Sequence, residues 1–354
     1  MSQHNLREFL TQAKEMQASD IFIIAGLPLS FKSGKNIESV GEKLSPEETR
    51  ELVQIIYELA EHRDIKPFLI SGDDDFSFSI PGVSRFRVNA FRQRGSLAAV
   101  IRVIAFELPD PSQLHIPDAV MEVANFTRGL VLITGPAGSG KSTTMACIID
   151  RINHSRPGHI ITLEDPLEYL HRHDKCIISQ REIYTDTDSY LISLRATLRQ
   201  SPDVILLGEM RDYETIQTVM SAAETGHLIL SSLHTIGAAN TISRIMDVFP
   251  PNQQHQIAVQ LSMVLQAVIS QQLVPDIDGR SIPVFEVMRL TTAIRNMIRD
   301  DKIHQIEGVI YSSSQQNMCS MDSSLLELYR KGRITRETAL LHATNEEMLA
   351  RKLR

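Results

Sequence analysis

Residues Gly135-Pro136-Ala137-Gly138-Ser139-Gly140-Lys141-Ser142-Thr143 fit the pattern G-x-x-x-x-G-K-[ST]. Such a loop restricts the surrounding fold. It needs a strand running in and a helix leaving, because that order aims several backbone N–H groups and a helix N-terminus at one point. The flanks comply. Leu130-Val131-Leu132-Ile133-Thr134 is an apolar run of strand length, and the stretch from Thr143 to Asp150 continues as a helix. The point so built suits a polyphosphate. Lys141 adds a movable positive charge for the β- and γ-phosphates, and the Ser142 hydroxyl can ligate Mg²⁺. The stretch is therefore expected to hold ATP with Mg²⁺.

A length of 354 residues suits two domains rather than one. The net charge of -7 argues against a surface that coats nucleic acid. The cysteines, Cys147, Cys176 and Cys319, are too few and too far apart for a disulfide framework or a zinc pair. The N-terminus carries no basic run followed by an apolar block, and no apolar run approaches about 18 residues. A cytoplasmic setting with no membrane segment and no nucleic-acid partner is expected.

Before the loop, Leu6, Phe9, Leu10 and Ala13 recur at helical spacing. Asp20–Ile24 reads as a strand. Ser45-Pro46-Glu47-Glu48 has the form of a capping box with proline at the first helical position, and Leu52, Ile55, Ile56 and Leu59 mark one face of the helix it opens. Phe76, Phe78 and Ile80 alternate with polar residues, Pro81-Gly82 turns the chain, and Phe86 and Val88 alternate again, which predicts a β-hairpin. Leu97–Ile104 supplies a further strand. Residues 1–107 are thus expected to form a small α+β domain. Pro109, Pro111 and Pro117 stiffen residues 108–118 and remove N–H donors, so that segment reads as a linker.

After the loop, apolar strands at His159–Leu163, Val204–Gly208 and His227–Ser231 alternate with helices at Ser189–Gln200 and Tyr213–Glu224. This α/β alternation predicts a mainly parallel sheet covered by helices, with ligands bound beyond the strands' C-terminal ends. The core is expected to run from 119 to 290, with a hairpin in Val274–Val287. A helical, polar C-terminal region follows over 291–354.

Polar clusters fall at the strand ends. Glu164-Asp165-Pro166-Leu167-Glu168 places three carboxylates after a buried strand. Hydrolysis of a phosphoanhydride needs a group that orients and deprotonates water, and a glutamate on a strand neighbouring the loop can do so. Glu209 follows four apolar residues and a glycine, the arrangement in which a carboxylate holds Mg²⁺ through its waters. His227 and His234 flank the fourth strand and suit sensing of the γ-phosphate. Arginines supply the remaining charge: Arg92, Arg94 and Arg102 in the first domain, and Arg195, Arg199 and Arg211 in the second. The sequence alone does not choose among them.

These segments, in this order, resemble the secretion ATPases of type II secretion and type IV pili, and most closely the pilus-retraction motors. Gly135–Thr143 resembles the family's Walker A, Ile161–Glu168 its Asp box, Val204–Asp212 its Walker B and Gly226–Thr235 its His box. Arg85-Phe86-Arg87-Val88-Asn89-Ala90 with Gln93-Arg94-Gly95 resembles its PAS-like N-terminal domain. The resemblance implies a homohexamer of two-domain subunits, a PAS-like domain followed by a RecA-like P-loop core, with ATP between the domains. It implies Glu164 as general base, Glu209 as the Mg²⁺-side acid, His234 as a nucleotide-state sensor, and Arg94 and Arg102 as charge-neutralising arginines. It also implies an inner-membrane platform protein as partner, pilin as an indirect one, and peripheral docking on the inner face of the cell membrane.

Ala293-Ile294-Arg295-Asn296-Met297-Ile298-Arg299-Asp300 resembles the AIRNLIRE motif of retraction motors, with Met297 and Asp300 as conservative departures. Ala137 stands where the family usually has threonine, and Phe22 where histidine is common. Extension and secretion motors carry an additional N-terminal domain and a four-cysteine zinc site, neither of which is in this sequence. Retraction is therefore the expectation. The alternatives are a pilus-extension or type II secretion ATPase, a nucleotide-gated scaffold without turnover, and a small-molecule kinase.

Overall fold

A computed structural model describes residues 3–16, 18–34, 36–104, 108–312 and 317–353. Residue 107, where the first domain is expected to end, lies outside the described residues, as do Met1 and Ser2. The chain divides into two compact units, Met1–Glu107 with Glu168–Leu170, and Leu108–Leu167 with His171–Arg354.

In the first unit, α1 (Gln3–Glu15) precedes β1 (Asp20–Ile23), β2 (Leu29–Ser33) and β3 (Asn36–Val40). Then come α2 (Pro46–Leu59), α3 (Lys66–Ser71), β4 (Asp73–Ile80), β5 (Ser84–Gln93) and β6 (Ser96–Ile104). The strands form one antiparallel sheet in the order β3-β2-β1-β6-β5-β4. The capping box forms as read. Ser45 Oγ accepts from the Glu48 N–H at 3.2 Å, and Glu48 Oε2 accepts from the Ser45 N–H at 2.7 Å. That satisfies two of the donors a helix start leaves open. Leu6, Leu10, Ile21, Phe31, Leu52 and Phe86 close one core. β3 carries no signal in the sequence because all five of its residues are exposed and no alternation results.

The second unit begins with α4 (Asp118–Met121), β7 (Gly129–Thr134) and α5 (Lys141–Ser155). β8 (Gly158–Glu164), β9 (Cys176–Glu182), α6 (Tyr190–Thr197), β10 (Val204–Leu207), α7 (Tyr213–Glu224) and β11 (Leu228–Leu233) follow. Next are α8 (Ala238–Asp247), α9 (Pro251–Val264), β12 (Leu265–Pro275) and β13 (Ser281–Arg289). The chain closes with α10 (Thr292–Arg299), α11 (Ile306–Ser312), α12 (Met321–Arg330), α13 (Arg336–Leu341) and α14 (Glu346–Lys352).

The sheet order is β13-β12-β7-β11-β10-β8-β9, parallel throughout except for β13. This is the α/β arrangement expected. Residues alternate between the two faces of β7: Leu130 and Leu132 join one apolar layer, Val131 and Ile133 the other. β12 starts at Leu265, well before the expected hairpin, because Ser270-Gln271-Gln272 breaks the apolar run that would have marked it. The C-terminal region is helical but not wholly polar. Val274, Ile282, Val284, Met321, Leu325, Ile334 and Leu349 form a core of their own.

Candidate active site

The loop between β7 and α5 is shaped by glycines that cannot be replaced without conflict. Gly135 has φ +143, and a Cβ there would lie 2.0 Å from the Gln271 carbonyl oxygen. Gly138 and Gly140 take φ +74 and +84. Gln271 also holds the loop from behind. Its Oε1 accepts from Thr144 Oγ1 at 2.8 Å, and its Nε2 lies 2.9 Å from where a Gly140 Cβ would sit. Lys141 is buried, and its Nζ donates to the carbonyls of Gly135 and Pro136 at 2.9 Å each. The ammonium is thereby folded over the loop, the place from which it can reach a phosphate. Ser142, half-buried, is the second residue of α5.

The sheet order decides which expected residues meet. β11 lies next to β7, with Leu233 paired to Thr134, so His234 leaves the sheet beside Gly135. β10 comes next, and Glu209 follows it. Glu209 is 13% exposed; its Oε2 lies 3.5 Å from His234 Nε2, and its Oε1 receives a 2.6 Å contact from Arg211 Nη2. Glu209, His234 and Arg211 are thus one cluster. Arg195 pairs with Glu214 at 3.3 Å. Glu214, Glu209, Arg211 and Asp165 line a shared open cavity of about 580 Å³.

Glu164 closes β8, and here the expectation needs correcting. Its strand does not neighbour the loop's strand, because β11 and β10 intervene. Three strand spacings amount to about 14 Å, so Glu164 stands across the row of strand ends from the loop. Tyr190, which sequence reasoning missed, fills the gap on that side. Its hydroxyl lies 2.7 Å from the position of a Gly208 Cβ, with Glu164 Cα 3.5 Å from the same point. Burial raises the phenol's pKa, and the nearby charges of Glu209, Asp165 and Glu164 raise it further. A neutral tyrosine therefore sits among three carboxylates. The one signal for it is the Ser189 cap, which sets Tyr190 at the first position of α6.

His227 is not brought to this place. It precedes β11, and its carbonyl accepts from the N–H of Gly129 at the start of β7. The six residues of β11 separate it from His234 by about 20 Å. Its Nδ1 lies 3.0 Å from the Ala222 carbonyl and 3.1 Å from Thr225 Oγ1, the contacts of a residue that trims the end of α7. In the first unit, Arg94 sits at φ +49 beside Gly95 in the tight β5–β6 turn, and Arg102 pairs with Asp20 at 3.0 Å while remaining two-thirds exposed.

Residues 2–349 match the type II/IV secretion system protein family. The chain belongs to that family. It is 42% identical over 335 residues to the type IV pilus retractation ATPase PilT of Pseudomonas aeruginosa, covering 95% of this chain and 97% of that protein. It is 41% identical over 331 residues to the type IV pilus ATPase PilU of the same organism, covering 93% and 86%. A crystal structure of the pilus retraction motor PilT with bound ADP superposes with a TM-score of 0.89 at 44% identity, covering 97% of this chain and 98% of that one. The chain is accordingly a secretion ATPase of the PilT type.

Proposed function

We propose that this ATPase hydrolyses Mg²⁺-bound ATP as a homohexamer and thereby retracts type IV pili. One observation carries the reading: the Glu209–His234 pair stands at strand ends beside the loop that bears Lys141. Phosphates held by the loop and Lys141 would face a carboxylate and an imidazole that can respond to the γ-phosphate. Ser142 and Glu209 would take the Mg²⁺ side, Ser142 directly and Glu209 through water. Among the described residues no three of His, Cys, Asp and Glu converge on a metal. Phosphate oxygens and water would therefore complete the shell, as is usual for Mg²⁺. Glu164 is assigned the general base, and Arg94, Arg102, Arg195 and Arg211 the neutralisation of phosphate charge.

The first unit is read as PAS-like and the second as RecA-like. No helix among the described residues is long and apolar enough to cross a membrane. Docking on an inner-membrane platform protein from the cytoplasmic side, with pilin as indirect partner, completes the proposal. Hydrolysis is expected to stop when Mg²⁺ is chelated with EDTA and to return on its addition; turnover indifferent to EDTA would remove the metal role. Deleting the gene is expected to leave excess pili that do not shorten. A strain without pili would instead assign the chain to extension.

A further inference from the structure

Glu286 is a buried carboxylate outside the cluster just described. It projects from β13, and each oxygen meets the start of a different helix. Oε1 accepts from the N–H of Ala238, the first residue of α8, at 2.8 Å. Oε2 accepts from the N–H of Met321, the first residue of α12, at 3.4 Å. A helix start leaves N–H groups without internal partners and carries the positive end of the helix dipole, so a carboxylate suits both. Burial holds the Glu286 carboxyl above the usual range, and the two amides oppose that shift.

The side chain also ends a row of buried polar residues. Thr134, the residue before Gly135, is level with Ser270 on β12, and Ser270 is level with Glu286 on β13. All three are at most 5% exposed. Two positions from each along its strand, Leu132, Val268 and Met288 share one apolar layer, so the three polar residues lie on the same face of the sheet. Ser270 Oγ accepts from the N–H of Gly237 at 2.9 Å. The segment His234–Gly237, which carries the histidine of the site, therefore runs into α8 over two buried acceptors.

A buried charge is expensive unless its partners are fixed, and here the partners are the starts of two helices that pack in different cores. We propose that Glu286 is a positioning residue for hydrolysis. It fixes the His234–Gly237 segment through α8, and it links that segment to the C-terminal helices through α12. The kinetic part of this inference rests on the reading of His234 as a nucleotide-state sensor. Movement of α8 on nucleotide binding would alter the shared carboxylate and so be felt at α12.

The test uses the purified full chain. Glu286→Gln keeps the shape but turns one acceptor into an NH₂ group, so one of the two helix-start N–H groups loses its acceptor. Its kcat is expected to fall about tenfold while KM for ATP stays within about twofold. Ala238→Pro removes only the α8 donor, at a helix position where proline is tolerated, and is expected to show the same split. In hydrogen exchange, ADP is expected to change the rate over residues 321–324 by about threefold in the wild type and not in Glu286→Gln. Wild-type kcat in both variants would overturn the proposal. An ADP response at α12 that is absent from the wild type, or equal in Glu286→Gln, would overturn the link. His234→Ala with wild-type kcat would sink the sensor reading alone, and the exchange result would still decide the role of Glu286.

Discussion

The two histidines of the Gly226–Thr235 segment differ in consequence although they look alike in sequence. His234 lies 3.5 Å from Glu209, whereas His227 lies at the opposite end of β11 against α7. The prediction is that His227→Ala leaves kcat and KM for ATP within about twofold of the wild type. Steady-state hydrolysis checks it, and a large kcat loss would place His227 in the site by some route this subunit does not provide. The sequence identifies both residues as polar ends of an apolar strand. The expected parallel sheet already puts the loop at the C-terminal ends of the strands, so grouping His227, which precedes β11, with His234 runs against that expectation. The positions of Glu209 and Lys141 were legible because they follow from immediate neighbours in the chain. Tyr190 was not, since its position depends on Gly208, eighteen residues on, leaving room for its hydroxyl.

At the scale of elements, the phosphate loop depends on β12 as much as on its own glycines. A Cβ at residue 135 would meet the Gln271 carbonyl at 2.0 Å, and that oxygen belongs to a strand fixed on both sides. Gly135→Ala is therefore expected to destabilise the second unit by about 2 kcal/mol or more and to abolish ATP binding, read by thermal unfolding and nucleotide titration. Normal ATP affinity in that variant would mean that the loop is not held as described. Gln271 is a polar residue in a strand that reads weakly, and nothing local marks it as the back support of a loop more than a hundred residues earlier. Elements with strong alternation or caps, such as β5 and α2, were legible. β3 and β9 were not. β3 has no buried face, and β9 is an edge strand with only three of seven residues buried.

For the whole molecule, the order of strand and helix announced a parallel α/β sheet with its chemistry at one edge. The spatial order β7-β11-β10-β8 was not legible, because parallel strands are joined through helices that can place the next strand several positions away. That order puts Glu164 about 14 Å across the sheet from the loop, so the proposed base would have to act from the far wall of the site. The motor reading requires that turnover at this site, and not nucleotide binding alone, shortens pili. Fluorescently labelled pili followed in a strain carrying Glu164→Gln in place of the wild-type gene test this most directly. Purified Glu164→Gln is expected to bind ATP normally and to hydrolyse it at least about a hundredfold more slowly, the scale of a lost general base. The strain should then show abundant pili that extend and do not retract. Retraction at the wild-type rate in that strain would contradict the account.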